Sequence, residues 1–145
     1  MAGAGPAPKA SRSRARDTAN RDTIKADGVL RGFDLPEDAL QDGEEWHPIT
    51  KMWWEEWRLS PQAVRMNTMV DWMFLLDTAL MHHTMWSKGR WEFSAEVRLR
   101  AAKFGATPED RLRLKLEVEV PEDYPVGDSG NNVTRIDSHR ARWAE

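Results

Sequence analysis

The sequence predicts a mainly α protein: a compact unit of about three helices, a possible short C-terminal β-strand and a disordered basic N-terminal arm. Three observations carry this prediction. From residue 49 to 104 the apolar side chains recur at three- and four-residue spacings, the period of a helix face. From 112 to 120 they alternate strictly with charged ones, the period of a half-buried strand. Residues 1 to about 28 are rich in Ala, Ser, Gly, Pro and Arg, and bury too little apolar surface to offset the entropy of ordering them.

With 145 residues there is room for one modest domain. Its expected division is an arm and acidic linker at 1–45, a helical oligomerisation core at 46–120 and a tail at 121–145. The absence of Cys excludes a disulfide frame and a thiolate nucleophile or ligand, and suits a reducing compartment. No apolar run approaches the roughly 20 residues of a membrane span, and the start "MAGAGPAPKASRSRAR" lacks a secretory signal's apolar stretch. A soluble intracellular protein without a membrane partner is expected. The net charge of -3 hides a blocked distribution. Residues 1–31 carry seven basic and three acidic side chains, 32–57 one and eight, 58–116 ten and six, and 117–145 three and seven. Such blocks favour a solvated tail or an electrostatic partner. The arm therefore reads either as a phosphate-contacting segment, through Arg12, Arg14, Arg16, Arg21 and Lys25, or as a solubilising tail.

The elements follow in order. Pro48 suits the first turn of a helix, and Ile49, Met52, Trp53 and Trp57 share one of its faces, with Trp54 about 100° away. Ser60-Pro61 ends it. Thr68-x-x-Asp71 is a capping-box-like start for a long second helix to about Ser87. Its stripe is Trp72, Leu75, Leu76, Ala79, Leu80, His83 and Trp86, widened by Met69 and Met73. After a break at Gly89 a third helix presents Phe93, Val97, Ala101 and Phe104 on one face, with Gly105 beyond its end. Thr107-Pro108-Glu109-Asp110 signals a helix start, yet the alternation of Leu112, Leu114, Leu116, Val118 and Val120 signals a strand. One helical turn at about 108–111 followed by a strand over 112–120 reconciles the two. The closing "VTRIDSHRARWAE" has a possible helical reading.

Eight Trp and seven Met are many large apolar groups for so small a unit. Each buried Trp removes roughly 150–250 Å² from water, about 4–6 kcal/mol as an upper bound. A unit of about 60 residues covers only roughly 60% of its surface, so some indoles are expected to face another subunit. Trp53, Trp54, Trp57, Trp72 and Trp86 are the candidate interface residues. A purely intramolecular core is the plainer reading, and base stacking is disfavoured by the acidic residues around 44–57. No catalytic set emerges. No glycine has phosphate-loop spacing, and adjacent His82 and His83 diverge by about 100° on a helix, so they do not converge on one metal. No cofactor, metal or enzymatic activity is expected.

Three stretches, "WHPITKMWWEEWRLSPQA", "DWMFLLDTALMHHTMW" and "LRLRAAKFGATPEDRLRL", resemble the terminase small subunits of tailed double-stranded DNA phages and prophages of actinobacteria. The resemblance covers about residues 46–116, and its most specific part is Phe-Gly-x-Thr-Pro-x-x-Arg-x-Arg-Leu at 104–114. It implies a DNA-packaging component without catalysis in the host bacterial cytoplasm. Such subunits form homo-oligomeric rings, bind concatemeric double-stranded viral DNA, and recruit and regulate a large terminase subunit that carries ATPase and nuclease. Many relatives have an N-terminal helix-turn-helix, and residues 1–45 here are too polar to form one. Expected DNA contacts are therefore the arm together with Lys88, Arg90, Arg98, Arg100 and Lys103, with Arg58 and Arg65 also available, repeated around a ring. A small helical DNA-binding transcriptional regulator or adaptor is the alternative, with 90–104 as its candidate recognition helix.

Overall fold

The computed structural model describes residues 21–122. Within them the chain runs β1 (Asp22–Lys25), α1 (Pro48–Leu59), α2 (Met69–Lys88), α3 (Ser94–Ala102), α4 (Pro108–Arg113) and β2 (Leu116–Glu119), with short 3-10 turns between. The mainly helical class is as expected, with four α-helices among the described residues rather than about three. The expected disorder of residues 1–20 and the C-terminal tail beyond 122 lie outside the described residues.

Local chemistry sets the helix limits. The His47 side chain accepts a hydrogen bond from the Ile49 N–H at the start of α1, ahead of Pro48. At the end of α1 Ser60 turns extended, and its hydroxyl accepts from the Ala63 N–H to open the next turn. Thr68 and Asp71 form the full capping box of α2, and Gly89 ends that helix in the left-handed region at φ 63°. Thr107 and Asp110 repeat the box at α4, with the guanidinium of Arg113 on Glu109 one turn back at 2.6 Å.

The core face of α1 differs from the expected one. Thr50, Trp54, Trp57 and Arg58 are buried, whereas Ile49, Met52 and Trp53 are only half-buried. Trp54 is fully buried because both its surface and its N–H find partners: its ring meets Trp72 edge-on at 6.0 Å, and Nε1 donates to the Phe33 carbonyl. Leu75, Leu76 and Ala79 of α2, with Ala63, Met66 and Ala101, complete the core.

Residues 31–45, expected to belong to an arm and acidic linker outside the core, are packed on it together with Trp46 and His47. Phe33, Leu35, Ala39 and Leu40 lie against the core, and Trp46 is itself buried there. Trp46 Nε1 donates to the Pro36 carbonyl at 2.6 Å, while Arg58 Nε donates to the Arg31 carbonyl and its Nη1 reaches Asp34 and Glu55. Gly32, at φ 71°, lies so close to Trp72 that a Cβ there would meet the indole at 2.6 Å.

A second correction concerns the strands. The expected strand over 112–120 begins only at Leu116, because the capping box carries the helix on to Arg113 and Lys115 reverses the chain at φ 55°. Leu112 and Leu114 are consequently exposed. The partner of β2 lies far away in the sequence. It is β1 of the same chain, running parallel, with Asp22 opposite Leu116 and Ile24 opposite Val118. Residues 22–25 thus belong to the fold, not to a disordered arm. Ile24 and Leu116 bury one face of this ribbon, so the four described α-helices lie in the sequence between two strands that pair with each other.

Candidate nucleic-acid and subunit surfaces

The tryptophans divide by position. Of the five expected at a subunit interface, Trp54, Trp57 and Trp72 lie in the core of the single chain. Trp53 is half-buried, stacked on His82 with centroids 4.9 Å apart and planes 15° apart. Trp86 is exposed and meets exposed Trp91 edge-on at 5.7 Å. Trp91 belongs to the surplus of indoles expected from the sequence but not to the five named candidates; it lies outside the periodic stripe of α2, on the turn at 91–93 that precedes α3.

Between core and surface sits a histidine cluster whose members face different partners, as adjacent positions on a helix require. His83 Nδ1 accepts from the His47 backbone N–H at 2.9 Å, so the other nitrogen carries the proton and donates to Glu44 at 3.1 Å. Glu44 also receives Lys88 Nζ at 3.2 Å, and its carboxyl is lowered below the usual range, first by the His83 hydrogen bond and then by Lys88. His82 has the opposite tautomer. Trp86 Nε1–H donates to its Nε2, which leaves Nδ1–H for Thr50 Oγ1 at 2.9 Å. Burial, with lesser repulsion from His47 and His83, lowers its pKa from 6.5 to about 4. The cluster links the packed 44–47 segment to the last turns of α2.

The cations do not form one row. Arg12, Arg14 and Arg16 lie outside the described residues, and Arg21 is exposed just before β1. Lys25 sits on β1 beside Glu119 at 3.4 Å. Arg90 pairs with Glu92, and Arg100 pairs with Glu96 while lying over the Phe74 ring at 5.0 Å. Arg58 is unavailable to phosphate because it is buried against the 31–34 segment. Arg65 pairs with Asp22. Arg98 and Lys103 are exposed and have no ion pair among the described residues. At about 100° per residue, Arg98 and Arg100 flank the buried Val97 and Ala101 face of α3, and Lys103 lies opposite it. These three cations thus surround a nine-residue helix and do not line a single recognition face. A cleft between the 61–65 turn and the end of α3 brings Arg65 and Lys103 together over Phe104, Leu114 and Leu116. Exposed ion pairs contribute little, so Lys25, Lys88 and Arg90 can exchange their carboxylates for phosphate.

No helix among the described residues is long and apolar enough to cross a membrane. A family model described as phage terminase small subunit matches residues 3–144. No curated protein and no solved structure matches the chain.

Proposed function

From the premise that the chain belongs to the phage terminase small subunit family and serves in phage DNA packaging, we propose that it binds concatemeric double-stranded viral DNA as a homo-oligomeric ring. In that state it recruits and regulates the large terminase subunit in the host cytoplasm, contributing no catalysis itself. The observation that carries this reading is the family match over nearly the whole chain. What supports it in the structure is exposed Arg98 on α3 and exposed Lys103 at its C-terminal end, neither with an ion pair among the described residues. Because these cations are few in one copy, DNA affinity comes from their repetition in a ring and from Arg12, Arg14, Arg16 and Arg21 preceding β1.

The test is equilibrium binding of the full chain to duplex DNA across a salt series. An Arg98→Glu/Lys103→Glu variant is expected to weaken binding about tenfold or more and to lower the salt-dependence slope by about 2. An unchanged slope removes α3 from the DNA surface.

A further inference from the structure

We propose that copies of this chain join head to tail, the exposed Met69, Val70 and Met73 patch at the start of α2 receiving the Trp86 and Trp91 pair of a second copy. This rests on the ring reading above and names the two surfaces that would build it. Residues 69, 70 and 73 are 65, 75 and 49% exposed, whereas most of the opposite side of α2 is buried. They form the apolar part of one stripe that continues to Asp77, four residues beyond Met73. Trp86 and Trp91 are 42 and 56% exposed, and their edge-on packing presents a preformed aromatic surface.

Three features make a second copy the occupant. The patches are chemically complementary, because thioether side chains make favourable contacts with aromatic rings. Their charges are also complementary. Exposed Asp77 has no ion pair among the described residues and flanks the methionines, while Lys88 and Arg90, each 57% exposed at the side chain, flank the indoles and can exchange their own carboxylates, Glu44 and Glu92, for it. Third, the patches point in different directions. The thirteen residues from Met73 to Trp86 advance about 20 Å along α2 and place Trp86 roughly 140° around it. A copy docked on one patch therefore leaves the other open for the next copy. That is the heterologous arrangement from which rings close, whereas a two-fold dimer joins one patch to itself.

The experiment is absolute mass by light scattering for the full chain, a Val70→Asp/Met73→Asp variant, a Trp91→Glu variant and an equimolar mixture of the two. The unaltered chain is expected to be many-fold larger than a monomer and each variant to be monomeric. The mixture should give dimers, since one intact patch of each kind remains. Far-ultraviolet dichroism checks folding, and Met73→Gln or Trp91→Gln replaces any variant that does not fold. Variants that retain the full mass overturn the patch assignment while leaving the ring reading standing. A stable dimer from either variant alone also overturns it. If the unaltered chain is monomeric with and without DNA, the ring reading fails and the patches fall with it.

Discussion

Residues 31–47 and the outer face of α2 reverse what their compositions imply. The first segment is acidic and has no strand or α-helix, yet it lies over the core with Trp46 buried. The second is helical and carries Met69, Val70 and Met73, yet it stands open to solvent. The difference lies in where backbone carbonyls meet buried donors. Indole N–H groups of Trp46 and Trp54 and the guanidinium of Arg58 need acceptors once buried, and the carbonyls of Pro36, Phe33 and Arg31 provide them. An irregular segment is well suited to this, because its carbonyls are not committed to a helix. The outer face of α2 offers no buried polar group that needs covering, so nothing among the described residues is drawn to it.

The sharpest way to break the comparison is at Gly32. A Gly32→Ala chain puts a methyl into the Trp72 indole, which its own hydrogen bond to the Met66 carbonyl holds in place, and strains a positive φ. A loss of about 2–4 kcal/mol is expected in denaturant unfolding. Gly28→Ala, with the same sign of φ but open space around it, is expected to cost only about 1 kcal/mol. Equal effects would mean that backbone strain, rather than packing of the segment on the core, decides the outcome.

The next effect is acid sensitivity at the C-terminal end of α2. Because His82 titrates near 4 when folded and near 6.5 when unfolded, the unfolded chain binds more protons between those values. Stability is full above about pH 6.5 and is lost as pH falls towards 4, by roughly 3 kcal/mol at most. Protonation of Glu44 adds to the loss at the acid end, since its lowered pKa has the same sign. Thermal unfolding of His82→Gln against pH should lack the upper part of this slope. A slope unchanged in the variant would assign the acid loss to other groups.

The smallest effect is expected on the open face. Met73→Gln should change the stability of the dilute monomer by no more than about 0.5 kcal/mol, while lowering the mass of any assembly at higher concentration. A large loss in the monomer would show that this face is covered within the single chain.

Much of this was legible in the sequence. Pro48, the box of Thr68 with Asp71 and the break at Gly89 marked α1 and α2 to within a residue or two, because caps and turns are determined by neighbours along the chain. The conflict at 107–120 was also visible. Its resolution was nearly right, except that the helix took Leu112 and the strand waited for Leu116. Family membership was legible too, from the closing signature at 104–114. The division of the tryptophans was not. Trp53 and Trp54 are equally apolar neighbours, and only the position of Phe33, Trp72 and His82 in space sends one ring to the core and the other onto an imidazole.

By itself, then, the sequence determined the helical class, the limits of the long helices and the family, since each rests on short-range spacing or local signature. Only the tertiary structure decided that the acidic 31–47 segment covers the core, that Asp22–Lys25 pairs in parallel with Leu116–Glu119, and which indoles remain exposed. Those outcomes depend on partners tens of residues apart, and a carbonyl's or a strand edge's need for a donor is written the same way at every position of the chain.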